Sequence, residues 1–238
     1  MKDDDKIIKN CTFSIIIPVL RESDKVNALI EHLYNQQTDE DYEIIIVEGS
    51  QTRETMSAVQ HREVVVLLSE PGRGRQMNAG AAVARGDILI FLHADTHIPV
   101  NALYRIGHIL KQKHYVGGAF DLAISSHKLV FKIIAKVASL RSRFTRIPYG
   151  DQIIFLRKDY FNKIGGYKEI PLMEDVELMQ RIKRQGDKIC ILTDKVVTSP
   201  RRWEKEGIIF CTLRNWILLT LYMIGISPSK LAKYYKSS

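Results

Sequence analysis

The sequence is poor in cysteine, and its cysteines stand far apart. The three residues occupy positions 11, 190 and 211 of 238, an odd number without any Cys-x-x-Cys spacing. This pattern argues against a disulfide framework and a zinc knuckle, and it fits a reducing compartment. The acidic residues 1–6 are not followed by the apolar stretch that a secretory signal needs. We therefore expect a cytoplasmic protein.

Several motifs that would assign a function directly are missing. The chain has no Gly-Lys-Ser/Thr of a Walker A loop and no recognised nucleic-acid module, so we expect no nucleic-acid partner. The glycine-rich stretch 70–80 is not a dinucleotide fingerprint, because it does not follow the first strand and Met77 takes the place of the third glycine. These absences exclude the NAD and P-loop modes of nucleotide binding.

The positive charge is concentrated in two late segments. The net charge is +8; residues 127–147 carry six Lys or Arg and no acid, and residues 201–238 carry seven against two acids. Such segments suit phosphates or an anionic membrane surface. The apolar stretch 216–226 is too short to span a bilayer about 30 Å thick. We expect it to pack on the core or form a homodimer face, with peripheral contact at the inner membrane face as the alternative.

Strand and helix signals alternate through the first half of the chain. Apolar runs predict strands at 13–19, 43–47, 64–68 and 88–92, and position 26 begins an apolar i, i+3, i+4, i+7 pattern of one helical face. We read residues 70–80 as a flexible loop with a helix beginning near residue 76. Alternation of this kind predicts an α/β fold with a mostly parallel, Rossmann-like sheet flanked by helices.

The strand at 88–92 ends directly at His93-Ala94-Asp95. Ligands of open α/β sheets bind just outside the carboxyl ends of the strands, and a carboxylate there can hold Mg²⁺ or Mn²⁺ against a phosphorylated ligand. The alternative is that Asp95 only caps a helix beginning near Pro99. The spacing of His93, Asp95 and His97 also resembles a zinc site, but no second cluster offers the remaining ligands.

Polar residues also follow the three earlier strands. The stretch from Pro18 to Glu22 lies at the end of the first strand, and Glu48-Gly49-Ser50 lies at the end of the second. The stretch 70–80, after the third strand, carries Arg73 and Arg75. An ionised carboxylate can accept hydrogen bonds from a base or ribose, and arginine forks suit phosphate oxygens. Taken singly, the first motif is better explained as an ordinary βα turn, and the second is equally compatible with a surface turn.

Two adjacent acids, Glu174 and Asp175, open an amphipathic helix late in the chain. Acids in a first helical turn are favoured by the helix dipole whatever their function. In a cleft, such a carboxylate can act as general base and take a proton from an acceptor hydroxyl.

The order of these motifs resembles a family 2 glycosyltransferase of the GT-A fold. Glu48-Gly49-Ser50 resembles the Asp-Gly-Ser motif that reads the nucleobase in that family. His93-Ala94-Asp95 stands at the family's Asp-x-Asp, and Glu174-Asp175 matches its Glu-Asp pair, whose second member is the usual base. Residues 72–80, 148–152, 171–175 and 201–204 resemble a bacterial subgroup of small enzymes found near radical-SAM and selenodomain proteins.

The resemblance implies an inverting transfer of a sugar from a UDP- or GDP-linked donor to an unidentified hydroxyl acceptor. Asp175, beside Glu174, would be the base, and Asp95 would hold Mg²⁺ or Mn²⁺. The expected donor contacts are Pro18, Glu22, Glu48, Gly49, Arg73, Arg75, Asn78, Ala94 and Asp95. The expected acceptor contacts are Gly150, Asp151, Gln152, Arg202 and Trp203.

Two residues depart from the family pattern. His93 replaces the first aspartate of Asp-x-Asp, so metal binding depends on Asp95, and Glu48 replaces an aspartate that is one methylene shorter. The alternatives are a nucleotidyltransferase and a non-catalytic nucleotide-sugar-binding protein. The expected division is a tail at 1–12, a GT-A domain at 13–205 with nucleotide-binding and acceptor halves at 13–98 and 99–205, and a C-terminal helical appendage at 206–238.

Overall fold

The computed structural model describes residues 12–235, which form one sheet with helices on both faces. Its strand order is β3-β2-β1-β4-β7-β6-β8-β5. The strands are β1 Phe13–Val19, β2 Tyr42–Glu48, β3 Val65–Leu68, β4 Ile88–Phe91, β5 Thr96–His97, β6 Tyr115–Ile124, β7 Ile154–Arg157 and β8 Lys188–Thr198. The four apolar runs of the first half thus become β1 to β4, as predicted.

Strand direction divides the sheet. β3, β2, β1 and β4 run parallel to one another, and β6 pairs parallel with β8. β7 runs antiparallel to β4 and β6, and β5 runs antiparallel to β8. The prediction of a mostly parallel α/β sheet is therefore confirmed. The carboxyl ends of β1, β2 and β4 lie at one edge of the sheet, where a ligand of this kind of fold binds.

The helices cover both faces of the sheet. They are α1 Val26–Tyr34, α2 Glu54–Ala58, α3 Arg73–Val83, α4 Ala102–Leu110, α5 Leu129–Thr145, α6 Lys158–Lys163, α7 Glu174–Arg184, α8 Arg201–Glu206, α9 Ile208–Met223 and α10 Pro228–Ala232. Alternate residues of β1 enter opposite cores: Ile15 and Ile17 pack on one face, and Ile16 packs on the other. This is the two-residue period of a strand that is buried on both sides.

The glycine-rich stretch is a correction to the sequence analysis. Helix α3 begins at Arg73, not near residue 76, so most of the predicted loop is helical. Its glycines serve close packing: a Cβ on Gly74 would lie 2.6 Å from the Lys168 carbonyl oxygen, and one on Gly80 would lie 2.5 Å from Ile16. Tertiary contact therefore overrides the low helix propensity of glycine.

Helices α8 to α10 form the C-terminal helical region. Leu218 of α9 and Leu231 of α10 are buried together with Leu172, which lies just before α7. Within residues 12–235, no helix is both long enough and apolar enough to cross a membrane. The boundaries proposed at 12, 98 and 205 stay predictions.

Candidate active site

A buried glutamine in α3 joins the ends of two strands at the ligand edge of the sheet. Gln76 Nε2 donates to the Val19 carbonyl oxygen at 2.8 Å and to that of Val47 at 2.7 Å. A Cβ on Gly49 would lie 2.9 Å from the Gln76 amide, so glycine is needed there for close approach. Gln76 was not among the site residues predicted from the sequence. Its place beside Met77, on the face that also holds Gly80 and Ala81, was the available signal.

Glu48, at the end of β2, is fully buried, and only one of its two carboxylate oxygens forms hydrogen bonds within the described residues. Its Oε2 accepts hydrogen bonds from the backbone N–H groups of Thr55 at 2.8 Å and Met56 at 3.1 Å, at the start of α2. Its Oε1 is buried and has no hydrogen-bond partner within the described residues. One oxygen therefore fixes α2, while the other is buried at the end of β2 without a donor among the described residues.

Glu22 lies near the same helix. Its backbone N–H donates to Thr55 Oγ1 at 3.1 Å, and its carboxylate lies 3.6 Å from Lys25 Nζ. Pro18 is within β1, paired in register with Val47 of β2. The first two strand ends are therefore joined both through Gln76 and through α2, which gives the predicted donor-binding edge a fixed shape.

Asp95 projects beyond β4 with an exposed side chain. It lines a cleft of about 340 Å³ with Lys25 near the start of α1 and with Thr198 at the end of β8; Asp175 does not line this cleft. Asp95 does not cap the following helix, because α4 begins at Ala102 with Asn101 as its N-cap residue. The capping alternative of the sequence analysis is therefore wrong, and the carboxylate is accessible from the cleft.

His93 brings distant parts of the chain together. A Cβ on Gly150 would lie 2.7 Å from His93 Nε2 and 3.5 Å from Asp175 Oδ2, so both side chains close on this glycine. Burial and the nearby Arg73 lower the pKa of His93 to about 4, while the carboxylates of Asp95 and Asp175 oppose this shift. His93 is therefore neutral at pH 7 and has the two predicted functional carboxylates around it.

Asp175 is held by backbone groups. Its Oδ2 accepts from the Gly150 N–H at 2.7 Å, and its Oδ1 accepts from the Val176 N–H at 2.7 Å. Met173, just before α7, has a left-handed φ of 67°, an uncommon conformation for a residue with a side chain. These contacts orient the Asp175 carboxylate toward the turn at Gly150–Gln152.

Glu174 is buried beside Asp175, with 5% of its surface exposed. Burial and the neighbouring Asp175 raise the pKa of Glu174 to about 7, and Arg73 opposes the shift. Arg73 Nη1 lies 3.8 Å from Glu174 Oε1, so the first turn of α3 supplies a cation to the carboxylate pair. Arg75 instead pairs with Glu169 at 2.9 Å on an exposed surface.

The turn after α5 contributes a further carboxyl group. Asp151 Oδ1 is buried without a partner in the described part of the chain. Burial and Asp175 raise the pKa of Asp151 to about 6, while Arg141 and Arg73 lower it and Asp95 adds to the rise. Arg141 lies over the Tyr149 ring at 3.3 Å from its centroid. Asp151 thus shares one electrostatic environment with Asp95 and Asp175.

Two predicted contact residues are engaged in the interior. Gln152 is fully buried; its Oε1 accepts from Ser142 Oγ at 2.5 Å and its Nε2 donates to the Phe120 carbonyl oxygen at 2.9 Å. Asn78 exchanges hydrogen bonds with the backbone N–H and C=O of Tyr167, at 2.9 and 2.8 Å. The hydrogen bonds of Gln152 are therefore used inside the protein, whereas Asn78 is half-buried and its amide is occupied by the Tyr167 backbone.

Arg202 and Trp203 lie on α8, with different neighbours. Arg202 donates to the Tyr235 hydroxyl, and burial together with repulsion from Arg73 lowers its pKa. The Trp203 ring packs edge-on against Phe131 with centroids 6.0 Å apart, and its N–H group is buried without a partner among the described residues. Arg202 therefore lies near Arg73 and His93, whereas Trp203 is mainly a packing residue.

Tyr167 is a site neighbour that the sequence analysis missed. It is almost fully buried, and burial, Asp175 and Glu174 raise its pKa well above the usual value. Its ring meets Phe91 at the end of β4 edge-on, with centroids 4.9 Å apart. An isolated tyrosine after two glycines carries no sequence signal for this position.

The side chains present can contribute only part of a metal coordination shell. In the stretch 12–235, no cluster of three or more His, Cys, Asp or Glu residues could hold a metal ion. The exposed Asp95 carboxylate, with the neutral His93 nearby, fits a Mg²⁺ or Mn²⁺ ion that takes its other ligands from substrate phosphates and water. The donor set does not fit a structural zinc site.

The family model described as glycosyl transferase family 2 matches residues 14–165, which include β1 to β7 and the His93-Ala94-Asp95 turn. The chain belongs to glycosyl transferase family 2. Several curated relatives are also glycosyltransferases by name. A Haemophilus influenzae protein named an uncharacterized glycosyltransferase is 25% identical over 183 residues, covering 72% of this chain and 62% of that protein.

Two further relatives of this family 2 chain have more specific names. The PGL/p-HBAD biosynthesis glycosyltransferase of Mycobacterium bovis is 28% identical over 179 residues, covering 65% of this chain and 62% of that protein. The poly(ribitol-phosphate) beta-glucosyltransferase of Bacillus spizizenii is 31% identical over 101 residues, covering 39% of this chain and 16% of that protein. The chain thus spans less than two thirds of the length of these relatives.

A solved structure shares the fold of this family 2 chain. It is the mannosyltransferase PcManGT from Pyrobaculum calidifontis in complex with GDP-Man and Mn²⁺, with a TM-score of 0.58 and 18% identity. The match covers 78% of this chain and 56% of that chain. The fold is therefore of the GT-A type, as the resemblance of the motifs implied.

Proposed function

We propose that the chain transfers a sugar from a nucleoside diphosphate donor to an acceptor hydroxyl, with inversion at the anomeric carbon. The observation that carries this proposal is the turn at Gly150, against which the Asp175 carboxylate and the ring of His93, two residues before Asp95, both close. Membership of glycosyl transferase family 2 supports it, as does a fold shared with a mannosyltransferase in complex with GDP-Man and Mn²⁺.

In this proposal the nucleoside binds at the ends of β1 and β2. The unpartnered Oε1 of Glu48 accepts a hydrogen bond from a base N–H, because an ionised carboxylate only accepts. A buried acceptor without a partner costs about 1–3 kcal/mol, so a donor that satisfies it gains affinity. Gly49, Pro18 and Glu22 shape this edge.

The diphosphate would lie between Arg73 and Arg202. Arg73 lowers the pKa of Arg202, so the two guanidinium groups are close enough to repel. An anion between them relieves that repulsion and accepts their hydrogen bonds. Asp95 would hold Mg²⁺ or Mn²⁺ against the same phosphates; the ion, when bound, neutralises charge on the leaving nucleoside diphosphate. Arg75, paired with Glu169, is less available.

Asp175 is proposed as the general base. Its carboxylate takes the proton of the acceptor hydroxyl as that oxygen bonds to the anomeric carbon. The bond from the anomeric carbon to the diphosphate oxygen breaks at the same time, and the electron pair leaves with the nucleoside diphosphate. The Gly150 N–H fixes the carboxylate in place for this transfer. Asp151 lies on the acceptor side in this arrangement, whereas Arg202, which the resemblance placed there, is assigned to the diphosphate.

Asp175→Asn tests the base directly. We expect kcat to fall by about 10²–10⁴ while the Kd for donor changes little, because the amide keeps the shape but cannot accept the proton. The assay is release of nucleoside diphosphate from a panel of UDP- and GDP-sugars with Mn²⁺, together with donor binding by calorimetry.

Asp159→Asn is the matched control. Asp159 also lies in a first helical turn and accepts from the next backbone N–H, at 2.7 Å from Tyr160, but it is exposed on α6. Activity should be unchanged in that variant. A near-normal kcat in Asp175→Asn would show that the base is another group. Pyrophosphate release from a sugar phosphate and a nucleoside triphosphate would support the nucleotidyltransferase alternative.

A further inference from the structure

The outward face of α5 is apolar. Its inward side chains, among them Phe131 and Ala135, are buried, whereas the opposite side of the helix is exposed to solvent. Phe144 is 84% exposed and Leu129 is 71% exposed. The other large apolar residues on this side are Val130, Ile133, Val137 and Leu140. A soluble helix normally turns its polar side outward, so this pattern needs a partner.

The same face of α5 is rimmed by cations. No acid occurs between Asp121 and Asp151 in the sequence. The side chains of Lys128, Lys132 and Lys136 are exposed, and none of them forms an ion pair with any residue in 12–235. Apolar side chains beside unpaired lysines are typical of a helix that lies in a membrane interface.

Helix α9 has a second outward apolar face. Only Cys211 and Leu218 among its residues are buried. Ile209 is 76% exposed, and the other exposed large apolar side chains are Phe210, Leu213, Trp216, Ile217 and Met223. The helix has the exposed tryptophan that is typical of interfacial segments.

Both helices adjoin the candidate active site. Phe131 of α5 meets Trp203, and Ile208 at the start of α9 packs on the same core cluster. On the inner side of α9, Leu218 packs with Leu172, close before Glu174 and Asp175. The two apolar faces therefore belong to elements that border the acceptor side of the site.

We propose that the outward faces of α5 and α9, together the docking face, bind an anionic phospholipid surface. Charge selects this occupant over a second copy of the chain, because a symmetric dimer would bring like-charged lysine rims together. An anionic leaflet attracts each lysine and accepts the apolar side chains at the boundary of headgroups and acyl chains. This inference does not depend on the proposed transfer reaction.

Flotation with vesicles tests the proposal. The full chain should float at low salt with phosphatidylcholine vesicles that contain phosphatidylglycerol, and much less with phosphatidylcholine alone. Lys132→Gln with Lys136→Gln should weaken binding to the anionic vesicles about 30-fold, since each lysine near the surface contributes about fivefold. Phe210→Gln with Ile217→Gln should weaken it at least about tenfold through lost apolar burial.

The matched control is Lys111→Gln with Lys113→Gln, which removes the same charge near Thr12, at the opposite end of β1 from the site. This variant should float like the wild type, and all variants should keep the wild-type Tm. Failure of the wild type to float on anionic vesicles at low salt would overturn the proposal. A dimer in sedimentation equilibrium that Phe210→Gln with Ile217→Gln dissociates, without flotation, would assign the face to a second copy instead.

Discussion

Single buried residues set the ionisation of the candidate site. Burial lowers the pKa of His93 to about 4 and raises that of Glu174 to about 7. The contributions of the two groups to folding stability therefore change with pH in opposite directions. His93 takes up its proton more readily in the unfolded chain, so its contribution to stability is lost as pH falls from 6.5 toward 4.

Glu174 gives a testable pH dependence. Its folded pKa lies above the usual 4.5, so its protonated form favours folding at low pH, and that contribution is lost as pH rises from 4.5 through about 7. Glu174→Gln keeps the neutral shape at every pH. We expect the variant to gain stability relative to wild type across this window, by roughly 1–3 kcal/mol, in urea unfolding at several pH values.

Glu169→Gln, at an exposed glutamate paired with Arg75, is the control and should follow the wild-type pH profile. If Glu174→Gln and wild type change in parallel between pH 4.5 and 7.5, Glu174 is not held in its protonated form. In that case Glu174 is ionised beside Asp175, and the positive charge of Arg73 must offset the repulsion between the two carboxylates.

At the scale of elements, α3 joins the carboxyl ends of β1 and β2 through Gln76. Replacement by Leu removes both hydrogen bonds to the Val19 and Val47 carbonyl oxygens while filling similar space. We expect Gln76→Leu to lower the free energy of unfolding by about 1–3 kcal/mol, because two buried hydrogen bonds are lost, although the Val19 carbonyl oxygen keeps the Gly49 N–H as a donor. Denaturant unfolding measures this loss, with the exposed Gln112→Leu as control.

The same substitution separates positioning from packing. If Gln76 fixes the strand ends that bind the donor, Gln76→Leu should also raise the donor KM in folded protein at low temperature. A variant as stable as wild type, with unchanged KM, would show that backbone contacts alone hold β1 and β2 in place.

At the scale of the whole molecule, the periodicity of the first half was sufficient to predict the parallel strands. Runs such as Phe13–Val19 and Ile88–Phe91 are apolar throughout because both faces are buried, and polar motifs follow where they end. Local patterns place the site only up to that edge, and Gly150 and Asp175 were expected there only through the resemblance to the family. Its closing contact, from the Gly150 N–H to Asp175, joins segments whose proximity no local pattern encodes.

Helix α3 and Gln152 mark what local patterns cannot predict. The glycines of α3 indicated a loop, but they allow close contact with Lys168 and Ile16. Gln152 stands in a polar motif, yet its side chain is used entirely inside the protein. Propensity and polarity describe a residue alone, whereas these roles are set by neighbours brought in by the tertiary fold.

A crystal structure with a nucleoside diphosphate sugar and Mn²⁺ would show whether Asp95 and Asp175 act on one donor molecule. We expect anomalous Mn²⁺ density at the Asp95 carboxylate, and the anomeric carbon between that ion and the Asp175 carboxylate. Two results would contradict the proposed mechanism: Mn²⁺ bound at a group other than Asp95, or a donor sugar bound in a cleft that the Asp175 carboxylate does not reach.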